Sequence, residues 1–197
     1  MIIKLSPVRS DVSLSVSKSG DTLEVNGVAL DFSRLPDGAT LPAEAVGCEF
    51  VIAPVQRING GLVLTLMLPH AADAAQGARF PVDLYPADGQ VQLPGLELGE
   101  RLAATPGVID WSQVITVEAK AQAAADQLLA TVVADIAQRR TVADAAIAPL
   151  QDAVELEEAT EAEAALLMEW KRYRVALSRL PDQEGYPNEI DWPAQPA

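Results

Sequence analysis

The chain has one cysteine and one histidine in 197 residues, and only three each of Phe, Trp and Tyr. A lone Cys48 excludes an intramolecular disulfide and a thiolate metal cluster. Because it sits in an apolar run, it reads as a buried structural thiol. His70 follows Pro69 at the end of an apolar strand. No acid or nucleophile motif accompanies it, so it reads as a turn residue rather than a general base. The glycines form no phosphate cradle, and Asp73, Asp83 and Asp88 lack calcium-loop spacing. No apolar run of about 18 residues is available to span a bilayer. Met1-Ile2-Ile3-Lys4 leads into Ser6, Pro7 and Arg9 without the apolar core of a secretion signal. These absences lead to the expectation of a non-enzymatic protein of the cytoplasm, with no metal, no cofactor and no membrane segment.

Positive charge is scarce as well. Fourteen Lys and Arg stand against 28 Asp and Glu, a net charge of −14. Residues 1–100 hold 12 acids and 6 bases, and residues 101–197 hold 16 and 8, so the acidity is global. Such a balance disfavours nucleic-acid backbones and anionic membranes as partners. The acidic run Glu155, Glu157, Glu158, Glu161 and Glu163 reads as solvated helix ends rather than a metal site.

What is present divides into two styles of patterning. Residues 1–95 read as an antiparallel β module, a sandwich or small barrel-like meander. Val12, Leu14 and Val16 alternate with serines, the period of a half-buried strand. Thr22–Val25 and Val28–Phe32 flank Asn26-Gly27, a strong hairpin signal. A second hairpin is expected from Cys48–Gln56, through Asn59-Gly60-Gly61, to Leu62–Leu68. A third is expected between Phe80–Tyr85 and Gln90–Leu93. Residues 96–115 read as a linker, since Pro94, Gly95, Gly99, Pro106 and Gly107 interrupt the pattern.

Residues 116–197 read as a helical module with an extended C-terminal tail, making the whole chain α+β. Ala121, Ala125, Leu128, Val132 and Ile136 fall at helical steps across Thr116–Arg140. A second helix is expected over Val142–Glu155, bent or interrupted at Pro149. A third begins near Thr160, where Thr160-Glu161-Ala162-Glu163 forms a capping box. Within it, Leu166, Trp170, Tyr173 and Leu177 recur at steps of four, three and four, placing two aromatics and two leucines on one stripe. Lys171, Arg172, Arg174 and Arg179 surround that stripe; they read either as solubilising charge that complements the helix dipole or as partners for acidic groups, on a binding partner or on the chain's own 155–163 turn. The tail carries Tyr186, Ile190 and Trp192 among prolines and glycines, which a purely disordered tail rarely holds.

The run Trp170–Leu180 (WKRYRVALSRL), followed by Ile190–Pro196 (IDWPAQP), resembles the C-terminal signature of phage tail fibre assembly proteins, or tail assembly chaperones. Ile147–Ala153 and Glu158-Ala159-Thr160 are similar to members of the same family. The first hundred residues resemble an N-terminal module joined to such domains in some phage tail-region proteins. The resemblance implies a chaperone that binds the distal part of a tail fibre or receptor-binding protein and assists its folding and trimerisation in the host cytoplasm. Retention on the virion stays open, as does the oligomeric state. A structural component of the baseplate or fibre tip is the alternative, and an adaptor regulating tail assembly is a third. On composition alone the stripe is more often the core of a helical hairpin, with Leu150, Val154 and Leu156 opposite, than a partner surface. The resemblance shifts the weight toward binding, with Trp170, Tyr173, Arg174, Leu177 and Trp192 as partner-binding candidates.

Overall fold

The β patterning closes around a single apolar core. A computed structural model describes residues 1–96 and 103–196 of the chain, which forms two compact units, Met1–Lys120 and Ala121–Ala197. In the first unit the strands are β1 (Ile2–Arg9), β2 (Val16–Ser19), β3 (Thr22–Val25), β4 (Val28–Asp31), β5 (Thr40–Leu41), β6 (Val55–Ile58), β7 (Gly61–His70), β8 (Gly89–Gln90) and β9 (Thr105–Pro106). Two one-turn helices, α1 (Ala43–Val46) and α2 (Gln76–Arg79), lie between them. One sheet has the order β1-β7-β6-β5 and the other β8-β2-β3-β4-β9.

Both expected Asn-Gly turns form. Asn26 and Gly27 have φ of 47° and 78°, and Asn59 and Gly60 have φ of 50° and 77°. Two consecutive positive φ values are what the twist of a tight hairpin requires. At the Asn59 hairpin β6 is interrupted before Val55, but the expected pairing resumes further back: Val51 bridges Leu66, with Ile52 N donating to Thr65 O (3.1 Å) and Met67 N to Phe50 O (2.8 Å). Strand β7 alternates as read: Leu62, Leu64, Leu66 and Leu68 are buried, while Val63, Thr65 and Met67 are half-buried. They meet Ile3, Leu23, Leu30 and Phe32, all fully buried, in one cluster shared by both sheets. Each such side chain contributes roughly 1.5–3 kcal/mol of burial.

The structure corrects several expectations within the α+β class. The sheets are mixed rather than purely antiparallel. β1 runs parallel to β7, with Ile2 opposite Val63 and Arg9 opposite His70, and β4 runs parallel to β9. Val12–Leu14 form no strand; beside them Asn26 accepts from the Ser15 amide through Oδ1 (2.7 Å) and donates to Ser13 O through Nδ2 (3.0 Å). The third hairpin is absent: Gly89–Gln90 pair with Ser17 and Lys18 instead, and Leu84 bridges Ile3. Cys48 is half-buried against the core rather than fully enclosed.

Arg57 fastens the loops of this unit. Its guanidinium donates to the carbonyls of Leu35 (2.7 Å), Phe32 (2.9 Å) and Gly60 (3.1 Å) and to the carboxylate of Asp21 (2.8 Å). A planar fork of donors suits four acceptors at fixed angles, which a lysine could not replace. Of the expected 96–115 linker, residues 97–102 lie outside the described residues. Further on, Gly107 donates to Ala29 O (2.7 Å), and Ile115 exchanges two backbone hydrogen bonds with Thr40 (2.8 and 2.9 Å). Arg34 lies over the Trp111 ring at 5.1 Å.

The helices are α3 (Val117–Glu155) and α4 (Glu161–Ser178). The two helices expected on either side of Arg140 are one, and α3 continues through Pro149. A mid-helix proline costs about 3 kcal/mol. Here Ile147, two residues before it, and Leu150, just after it, pack into the cluster that α3 makes with α4, and such burial stabilises the helix against that cost. The helix ends in a turn where Glu157 takes φ 59° and Glu158 and Ala159 both donate to Ala153 O. The Thr160 capping box then starts α4 as expected.

Candidate partner-binding surface

Helix α4 presents two opposite faces built on the same spacing. The inner face carries Trp170, Tyr173 and Leu177, with relative exposures of 7%, 3% and 0%. They pack with Leu167 and Leu180 against Val132, Ile136, Ala143 and Ile147 of α3. Ala143 is fully buried, and its small side chain lets the larger ones opposite approach. Trp170 and Tyr173 meet edge to face, with centroids 5.8 Å apart and planes at 83°. This geometry suits the ring quadrupoles and adds roughly 0.5–1.5 kcal/mol to burial. The Tyr173 hydroxyl is buried without a hydrogen-bond partner among the described residues. The α3 stripe is covered only from Val132 onward: Ala121, Ala125 and Leu128 remain exposed.

The other two candidates lie at the surface of this unit. Arg174 Nη1 pairs with Asp144 of α3 at 2.7 Å, both side chains about half exposed. An exposed pair of this kind contributes at most about 1 kcal/mol. The acid it meets is on α3 rather than in the acidic run at 155–163. Trp192 is half-buried against the helical core, and the Arg139 guanidinium lies 4.4 Å from its ring centroid. The tail is seated by Gln183, which donates to Asp191 O (3.0 Å) and accepts from Asp191 N (2.9 Å). Ile190 and Tyr186 pack on the same cluster.

The outer face combines two of the expected basic residues with two apolar residues that the sequence analysis did not single out. Met168, Arg172, Val175 and Arg179 repeat the steps of four, three and four, displaced by two residues from Leu166, Trp170, Tyr173 and Leu177. Two residues turn a helix by about 200°, so this second stripe points away from the core. Met168 is 62% and Val175 46% exposed. With Lys171 and Gln183 they line a groove of about 710 Å³. A neighbouring groove of about 410 Å³ runs between Arg172, Tyr173 and the tail at Pro193–Pro196. Its basic residues were legible in the sequence; the signal that could have joined them to Met168 and Val175 was the 4-3-4 spacing itself.

Two acidic side chains are held by hydrogen bonds that lower their pKa. Glu163 accepts from the Thr160 amide and hydroxyl, both at 2.8 Å, and these bonds hold its carboxyl below the usual value. Asp88 is likewise held low, by Lys18 first and the Gly20 amide second. Among the described residues no group of three or more His, Cys, Asp or Glu is placed to hold a metal ion. Among them, too, no helix is long and apolar enough to cross a membrane. His70 ends β7 with Nδ1 2.8 Å from Ala71 O.

The family model of the Caudovirales tail fibre assembly protein, lambda gpK, matches residues 96–197. The chain belongs to that family. The match takes in α3, the buried Trp170/Tyr173 pair, the outer strip and the seated tail.

Similar proteins agree with this placement. The chain is 56% identical over 55 residues to Protein TfaD of Escherichia coli (strain K12), 28% of each chain. It is 54% identical over 55 residues to the Tail fiber assembly protein of Escherichia phage lambda, covering 28% of this chain and 27% of that one. It is 56% identical over 50 residues to a Probable tail fiber assembly protein of Acyrthosiphon pisum secondary endosymbiont phage 1, 25% of this chain and 31% of the relative. The chain thus spans less than a third of the length of these relatives. No solved structure matches it.

Proposed function

We propose that this protein is a non-enzymatic assembly chaperone that binds the distal part of a phage tail fibre or receptor-binding protein in the host cytoplasm. The observation that carries the reading is the family match over 96–197, which contains the whole helical unit. Fibres of intertwined β-rich chains expose strand edges and apolar surface before they trimerise, and a protein that covers them suppresses aggregation. Trp170, Tyr173 and Leu177 serve by fixing the α3–α4 pair from inside, while Arg174 and Trp192 stand at its surface, where a client can reach them. The test is co-expression of the full chain with the fibre protein encoded beside it. Soluble trimeric fibre should appear with the chain and aggregate without it. Equal trimer yields in both arms would overturn the proposal. A stoichiometric amount of the chain in purified particles would assign it to the baseplate or fibre tip instead.

A further inference from the structure

The inner face of α4 is consumed by its own core, so a partner approaching this helix meets the outer one. That face has an unusual composition for this molecule. Four of the chain's fourteen basic residues, Lys171, Arg172, Arg174 and Arg179, fall within nine positions. Arg174 is neutralised by Asp144. Among the described residues, Lys171, Arg172 and Arg179 make no ion pair, although acids outnumber bases two to one. Between Arg172 and Arg179 lies the exposed Val175, and one turn before Arg172 lies the exposed Met168. An unbranched, polarizable methionine adapts to the shape of whatever covers it.

We propose that this strip is the docking site for an acidic polypeptide segment of the client fibre, one that sets an apolar side chain between two carboxylates. The inference rests on the chaperone reading and names the chemistry its client presents. Charge complementarity selects the occupant: an acidic segment is repelled by most of a −14 surface and attracted by this strip, which fixes where it lands. From Met168 to Arg179 the helix rises about 17 Å, the reach of roughly five residues of extended chain. Arg172 and Arg179 are two turns apart, about 10 Å along the axis, which sets the spacing of the carboxylates they hold. Arginine forks bind each carboxylate through two parallel bonds, Val175 supplies the apolar contact between them, and Met168 extends it one turn before Arg172.

The test uses the full chain and the fibre protein encoded beside it, measured by pull-down and titration over a range of salt. Arg172→Glu with Arg179→Glu should weaken fibre capture about tenfold or more, and flatten its salt dependence, while the melting temperature stays that of the parent. Met168→Ser with Val175→Ser should weaken capture with the salt dependence retained. Should charge reversal disturb folding, Arg172→Gln with Arg179→Gln is read in the same way, and a photoreactive residue at position 175 should cross-link to the fibre. A parent that captures fibre and charge variants that capture it equally would overturn this inference while leaving the chaperone reading in place. A parent that captures no fibre removes both. Reversal that converts a dimer of this chain to monomer, without changing fibre capture, would make a second copy the occupant and overturn the proposal.

Discussion

The guanidinium of Arg139 lies over the indole of Trp192, 4.4 Å from the ring centroid, and ties the middle of α3 to the C-terminal tail. The tail is therefore part of the helical unit's packing, and its aromatic has a structural task whatever else it touches. The exchange of hydrogen bonds between Gln183 and Asp191 holds the same segment from its other end.

Replacing Trp192 with alanine removes both the stacked cation and a half-buried aromatic surface. Trp192→Ala should cost about 1–2 kcal/mol and lower the melting temperature by a few degrees, leaving helix content intact. Thermal melts of the parent and the variant check this. A melting temperature identical to the parent's would mean that the tail contributes nothing to the unit's stability.

Tyr173 carries a buried hydroxyl without a partner among the described residues. A desolvated, unpaired hydroxyl opposes folding, so Tyr173→Phe should be neutral or stabilising by about 1 kcal/mol. Tyr173→Ala, which deletes the ring packed on Trp170, should cost about 3–5 kcal/mol. Denaturant titration of both variants distinguishes the two contributions. Destabilisation by the phenylalanine variant would show that the hydroxyl finds a partner in solution.

The capping box gives α4 an acid-sensitive start. The Thr160 amide and then its hydroxyl hold the Glu163 carboxyl below its ordinary value of 4.5. A lowered folded value means stabilisation that is full above 4.5 and is lost as pH falls through the lower folded value. Glu163→Gln keeps an acceptor for the box but cannot titrate, so it should lessen the fall in melting temperature on acidification. Asp31 and Asp88 are also held low, by Ser33 and by Lys18, so the fall shrinks rather than disappears. Melting curves recorded at neutral pH and in steps below 4.5 check the difference between parent and variant.

Local signals were the legible ones. Asn26-Gly27 and Asn59-Gly60 specify their turns by backbone sterics alone, and Thr160 with Glu163 specifies a helix start through bonds three residues apart. The inner stripe of α4 was legible as amphipathic spacing. The parallel pairing of β1 with β7 carries no local signature, since it joins segments about sixty residues apart. The continuation of α3 through Pro149 was hidden because packing of Ile147 and Leu150, not propensity, decides it. In the region of the third expected hairpin, alternation was misleading. Phe80, Val82 and Tyr85 are exposed, so those apolar residues do not mark a buried strand face. Of the outer strip of α4 the cations were legible, but Met168 and Val175 were not, because an apolar residue beside cations reads as ordinary solvent-facing helix until the buried face has been located.

The pairing of Ile2 with Val63 also sets a timetable. At ribosomal speeds of about 5–20 residues per second, the first strand waits roughly 3–12 s before its partner is synthesised. Through that interval Ile2, Ile3 and Leu5 leave the ribosome with their backbone amides and carbonyls unpaired, and non-local parallel pairing is slow to form even once both strands exist. The N-terminal unit is therefore most vulnerable during its own translation, and slower elongation lengthens the exposure.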